Sequence, residues 1–283
     1  NNKKRKQHKK HIGQNLIIMT DKIDLDKYVS QYTGFTRVKR LIFIVENSET
    51  YKQEAIRLAI RELRNGINTN LYKEVAEKYG KEIGHAYDAA WANDVDQESQ
   101  KNLEKLEIQL NAAKNNLMKE GTRTSNNEIG DFYFSRGDLQ NALKSYLRAR
   151  DYCTSSKHVI NMCLNVIRVS IEMGNYALVQ QYVSKAEQTP DVSNNEDLLT
   201  ISKLNVASAL ANLDARKYKV VAKKLLSCDI SIDNEFTDII SANDITVFAG
   251  VTALATFDRR ELKDKVLESA QFKNFLELNP SIR

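Results

Sequence analysis

The side chains with the most chemical potential gather in "RDYCTSSKHVINMCLNVIRVS", residues 150–170, where Cys153, His158 and Cys163 form a C-x4-H-x4-C pattern. Thiolate and imidazole are the usual ligands of structural zinc, but a closed site needs four of them and no fourth stands nearby. A cysteine nucleophile needs a base in hydrogen-bond reach and a third group to orient that base, and neither is evident. Read as a helix starting near Lys157 and capped by Ser155 or Ser156, the segment sets Val159, Cys163, Val166 and Ser170 on one strip. Ile160, Leu164, Ile167 and Ile171 line the next. Among aliphatics a thiol behaves as a small inert hydrophobe, with a pKa that rises rather than falls. The stretch is read as the seam between two packed helices.

No other catalytic pattern takes its place. The chain carries no glycine-rich phosphate loop, HExxH, GxSxG or CxxC. His8 and His11 are three apart, but they sit among lysines that would repel a cation. Acidic residues alternate with lysines as they do on solvated helix faces. No catalytic residue, cofactor or metal is expected.

The elements that position these residues are helices. Among 283 residues there are only two prolines and ten glycines, and sheets need such residues at every reversal. No apolar run approaches the roughly 20 residues that span a bilayer, and "NNKKRKQHKKHIGQN" lacks the apolar core of a signal peptide. With three cysteines, an odd number, reduced thiols in the nucleus and cytoplasm are expected. The net charge of +5 is uneven. Lys3, Lys4, Arg5, Lys6, Lys9 and Lys10 precede any acid, which leaves 36 basic against 37 acidic residues in the remainder. That run reads either as a nuclear-localisation signal or as a solvated, disordered tail. A near-neutral body without an aromatic-interleaved basic face argues against nucleic acid, although Arg37, Lys39 and Arg40 cluster.

Along the chain, Val38, Leu41, Ile42 and Val45 fall at helical spacing, and Thr50 with Gln53 fits a capping box before the stripe Ala55, Ile56, Ala59, Ile60 and Leu63. Leu71, Val75 and Tyr79 share the face of a short helix. Residues 86–119, free of proline and glycine, predict one long helix with Leu103, Leu106, Leu110 and Leu117 on a partner-facing seam. From about 125, Ile129, Gly130, Tyr133, Ala142, Tyr146 and Ala149 stand at the spacing of a tetratricopeptide-type helix pair. Gly137 is suited to stop the first helix and Asp138 to cap the second. Gly174-Asn175-Tyr176 repeats the punctuation, with Val179, Val183 and Ala186 at matching offsets and Pro190 closing the unit. Looser copies follow around Tyr218, without the glycine, and around Leu262. "QTPDVSNNEDLLT" and "CDISIDNEFTDIISAND" read as polar connections. The predicted fold is all-α, a right-handed α-solenoid of tetratricopeptide-like repeats. Its parts are a basic tail (1–27), an N-terminal helical segment (28–120) and a repeat domain (121–283).

Five blocks carry a family resemblance: "YTGFTRVKRLIFI", "NEIGDFYFSRGDLQNALKSYLRARDYCTSSKHVINMCLNVIRVSIEMGNY", "YVSKAEQTP", "ARKYKVVAKKLL" and "ALATFDRRELKDKVLESAQFKNFLELNP". In order and content they resemble the subunit-one family of the COP-nine signalosome, PCI-type proteins, with a paralogous proteasome-lid subunit as the near alternative. The resemblance implies a non-catalytic scaffold in a complex that removes a ubiquitin-like modifier from the cullins of RING ubiquitin ligases. It places the metalloprotease site in another subunit. It also implies a winged-helix module after the repeats, and "FLELNPSIR" falls where that module would begin, so the chain reads as a fragment. The implied partners are other signalosome subunits and cullin-RING ligase components, with no membrane and no specific nucleic acid. Arg148, Arg150, Tyr152 and Arg168 are the candidate partner-binding residues, against the plainer reading of each as a solvated or internally paired side chain. Gly130, Tyr133, Ala142, Tyr146, Ala149 and Cys163 are the candidate packing set. A cysteine hydrolase and a nucleic-acid binder stand as the alternatives from other classes.

Overall fold

A computed structural model describes residues 24–193 and 197–278. The expected basic run, Lys3 to Lys10, and His8 and His11 lie outside the described residues. Every regular element among the described residues is helical. No helix there is long and apolar enough to cross a membrane.

Four helices build the first layer: α1 (Leu25–Val29), α2 (Gly34–Asn47), α3 (Lys52–Asn65) and α4 (Thr69–Tyr79). Their apolar faces bury Leu41, Ile56, Val75 and Tyr72 in one core. The capping box expected at Thr50 is absent: α3 begins after Tyr51 and has no side-chain cap. A long helix, α5 (Ala89–Asn115), then leads into α6 (Lys119–Arg136) and α7 (Leu139–Ala149), followed by α8 (Ser156–Glu172) and α9 (Tyr176–Glu187). After the short α10 (Pro190–Ser193) come α11 (Leu198–Asp214), α12 (Tyr218–Leu226), α13 (Ala242–Thr256), α14 (Arg259–Leu262) and α15 (Ala270–Leu278). From α5 to α9, and again from α11 to α13, each helix packs on the next in sequence, with α9 against α11 joining the two runs, the arrangement of a helical repeat.

Ala142, Tyr146, Ala149 and Cys163 are fully buried, Gly130 is buried, and Tyr133 packs at their edge. Gly130 is there because no side chain fits. A Cβ at that position would stand 2.5 Å from Cε1 of the Tyr146 ring, far inside van der Waals contact.

Four helix-to-helix turns share one hydrogen-bond pattern. Leu117, Gly137, Gly174 and Arg216 each take a left-handed conformation, at φ 53°, 83°, 70° and 58°. The following N–H, of Met118, Asp138, Asn175 or Lys217, then donates to the carbonyl five residues back, at 2.9 Å in every case. This is the Schellman closure of a helix C-terminus. At the two glycine turns the next helix is also capped by a side chain, Asp138 or Asn175. At Met118 and Lys217 it is not. Leu117 is therefore no part of a seam, because it occupies the turn and is 88% exposed. The long helix correspondingly runs from Ala89 to Asn115 rather than over 86–119.

A second correction concerns the stretch 228–244, expected as a polar connection. It buries Cys228, Ile232, Phe236, Ile239 and Ile240 in the core shared by α11 to α15. Polar residues dominate its composition, but the apolar ones all turn inward.

Two outcomes test this packing. Gly130→Leu is expected to lower stability by about 1–3 kcal/mol through overpacking against a fixed ring, read as a fall in melting temperature. Arg216→Gly is expected to raise stability by about 0.5–1 kcal/mol, since a non-glycine residue in the left-handed region costs more than glycine's extra chain entropy. An unchanged urea midpoint would contradict that.

Candidate interaction site

The expected partner-binding residues divide into two groups. Arg148 and Arg150 are exposed and Tyr152 is half-buried, all at the end of α7 and the turn beyond it. Arg150 pairs with Asp151 at 3.2 Å. Arg168 faces elsewhere, and its contacts are those of the internally paired reading. Its Nη2 donates to Asp131 Oδ1 at 3.0 Å and to the Tyr146 hydroxyl at 3.1 Å. Nη1 lies 3.7 Å from Asp238 Oδ2, and the guanidinium sits 4.4 Å over the Phe134 ring. Burial pushes the Asp238 carboxyl above the usual carboxylate range, and the Arg168 charge partly offsets that. Nη2 and Nη1 of the fork thus point into the fold, while its buried Nε has no hydrogen-bond partner.

The cysteine segment closes the same way. Cys163 is fully buried, and burial pushes its thiol up to about 11. Cys153 bonds its Sγ back to the Ala149 carbonyl at 3.5 Å, and burial raises its pKa as well. His158 Nδ1 lies 3.3 Å from the Thr154 hydroxyl, and its backbone N–H is capped by Ser155. Thiols with raised pKa values are poor nucleophiles at neutral pH. Among the described residues no group of three or more His, Cys, Asp or Glu could hold a metal ion.

Sequence reasoning missed two features. The first is a closure between the first described helices and the segment 237–244. Tyr32, just beyond α1, donates its hydroxyl to Asp244 Oδ2 at 2.9 Å, and Ser241 Oγ donates to that same hydroxyl at 3.2 Å. Arg40 of α2 reaches the same carboxylate oxygen at 2.6 Å. Thr36 donates to the Asp238 carbonyl at 2.5 Å, and the Thr33 N–H to the Thr237 carbonyl at 3.1 Å. No local signal announces such contacts, since the partners are more than 200 residues apart.

The second is a cleft of about 740 Å³ between α2, α4 and α5 on one side and the α6–α7 turn on the other. Phe35, Leu71, Leu103, Phe132, Tyr133 and Leu139 supply its apolar wall. Its base is polar. Arg136 donates to Asp96 at 2.6 Å and to the Ile67 carbonyl at 3.1 Å, while Thr69 holds the same Asp96 oxygen at 2.7 Å. Asn68 caps α4 and lies against Gly137, where a Cβ would stand 2.5 Å from its Nδ2. Across the mouth, Lys39 of α2 pairs with Glu172 of α8 at 2.5 Å.

The sequence signature of the family described as "26S proteasome subunit RPN7" matches residues 88–265, more than half of the chain. The chain belongs to this family. Within it, the chain is 42% identical to the COP9 signalosome complex subunit 1 of Arabidopsis thaliana, over 94% of this chain and 61% of that one. It is 37% identical to subunit 1b of Drosophila melanogaster, over 95% and 62%. To the 26S proteasome non-ATPase regulatory subunit 6 of Caenorhabditis elegans it is 20% identical, over 60% and 40%. The chain thus spans about three fifths of the length of the signalosome relatives it matches.

The bridging role of Arg168 has a direct test. Arg168→Met should cost on the order of 3 kcal/mol, because it leaves the largely buried Asp238 carboxylate without its cation, while Asp131 and Tyr146 keep only their bond to each other. Hydrogen exchange should accelerate in 229–241 as well as in α6. If only α6 and α8 respond, Arg168 does not tie the two regions together.

Proposed function

We propose that this chain is the interaction arm of a non-catalytic scaffold subunit of the COP9 signalosome. The complex so read removes a ubiquitin-like modifier from cullin-RING ubiquitin ligases, with its metalloprotease centre in a different subunit. One observation carries the reading: identity of 42% to a signalosome subunit 1 extends over nearly the whole chain, whereas identity to the proteasome relative is 20% over 60% of it. The physical character of the molecule supports it. Several of its ionisable side chains tie one helix to another, and a stack of paired helices presents long surfaces to partners. Other signalosome subunits are the proposed direct partners and cullin-RING ligase components the proposed clients, met in nucleus and cytoplasm.

The test is to tag the gene encoding this chain at its own locus, purify the product under mild salt and identify what accompanies it. The metalloprotease subunit and its sister signalosome subunits should co-purify in near-equal amounts. Recovery of proteasome-lid subunits in their place would move the assignment to the paralogue, and recovery of neither set would end the scaffold reading.

A further inference from the structure

We propose that the cleft between α2, α4, α5 and the α6–α7 turn receives a cationic, apolar-bearing segment of a partner protein. Lysine or arginine side chains would lie beside a leucine or phenylalanine. This deepens the interaction reading above by naming the chemistry of a partner, without depending on which complex the chain joins.

The assignment comes from charge accounting around the wall. Four carboxylates line the cleft (Glu74, Asp96, Asp138 and Glu172) against two cations, Lys39 and Arg136. Both cations are already neutralised, Lys39 by Glu172 and Arg136 by Asp96. Asp138 is committed to the cap of α7, accepting from the Asn141 N–H at 3.1 Å and from its side-chain amide at 2.6 Å. Glu74 is exposed and makes no hydrogen bond or ion pair among the described residues.

A phosphate or an acidic peptide would therefore meet surplus negative charge with no free cation to answer it. A cationic group meets Glu74 and Asp138 at the rim. The aromatic and leucine wall beside them offers burial worth roughly 25 cal/mol per Å² to an apolar neighbour. The volume falls in the range of sites that enclose a few side chains rather than a whole domain. Electrostatic complementarity of this kind steers encounter and selects partners more than it adds raw affinity. Specificity should thus require both halves of the segment, its charge and its apolar side chain.

The experiment uses the purified chain and a fluorescein-labelled peptide in which arginine–lysine pairs alternate with leucine–phenylalanine pairs. Two comparison peptides replace the cations by glutamate or the apolar pairs by serine. Anisotropy should rise with the first peptide and with neither comparison. Glu74→Lys, at an exposed position on α4, should weaken binding about tenfold, and so should Phe132→Ala. Glu77→Lys, on the same helix but outside the cleft, should leave it unchanged. Binding unaffected by Glu74→Lys, or shared by the glutamate peptide, would overturn the proposal. A fourth variant replaces Lys3, Lys4, Arg5, Lys6, Lys9 and Lys10 by glutamine. If it binds the probe about tenfold tighter than the parent chain, the occupant is this chain's own basic run and the assignment to a partner is refuted. No other subunit is present in these measurements, so a negative result in them leaves the complex assignment standing, and the converse also holds.

Discussion

The contact between residues 31–40 and residues 237–244 governs the rest of the structure. A helical repeat array couples each unit chiefly to its neighbours, so a perturbation at one end need not reach the other. In this molecule the chain returns on itself. Tyr32 and Arg40 converge on the single carboxylate of Asp244. Thr36 holds the backbone at Asp238 while Arg168, from the middle of the array, holds its side chain. The segment 237–244 is thus gripped from two directions, by the first helices and by α8. With that closure the N-terminal helices lose the freedom of a terminal unit, and stability at either end becomes partly a property of both.

Polar groups make this closure rather than a hydrophobic plug, which has consequences for its specificity. Burial raises the pKa of the Tyr32 phenol, and its hydrogen bond from Ser241 works the other way. Asp244 accepts from both a guanidinium and a hydroxyl, and Arg168 answers two carboxylates and a phenol. Such networks add little net stability over apolar packing, because each charge must first leave water. They are demanding in geometry, however, since a slip of one helical turn would leave a buried charge without its partner. An apolar interface between α2 and the 229–241 segment would tolerate several registers. This one tolerates few.

Legibility in the sequence follows the range of the interaction. Gly137 with Asp138, and Gly174 with Asn175, are readable as turns because glycine supplies the left-handed residue and the next side chain supplies the cap. The same turn is made at Leu117–Met118 and at Arg216–Lys217, where both local signals are missing and only the left-handed φ and the closing hydrogen bond mark it. Spacing alone therefore runs the long helix through Leu117, and it shows the Arg216 turn only as a loose copy of the repeat. Gly130 and Tyr146 are readable as a pair, being 16 residues apart on two adjacent helices. The inward turn of Ile232, Phe236 and Ile240 is not, because their polar neighbours mask any periodicity in a stretch without a long helix. Arg168 shows the limit most clearly. Its type suggests an exposed contact, and only the fold brings Asp131, Phe134, Tyr146 and Asp238 around it.

The cleft and the closure are not independent, because α2 serves both. On one side of that helix Thr36 and Arg40 bind the 238–244 segment, and on another Phe35 and Lys39 form cleft wall. The Lys39–Glu172 pair belongs to both, since it lines the mouth and also ties α2 to α8, the helix that carries Arg168. Any displacement of α2 that loosens the grip on Asp244 must move Phe35 relative to Phe134, whose rings now meet edge to face at 5.1 Å. A segment seated in the cleft would resist that displacement. By the reciprocity of linked equilibria, whatever strengthens the closure must then favour occupancy of the cleft to the same degree. The occupant proposed for the cleft would in this way be coupled to the closure on the other side of α2.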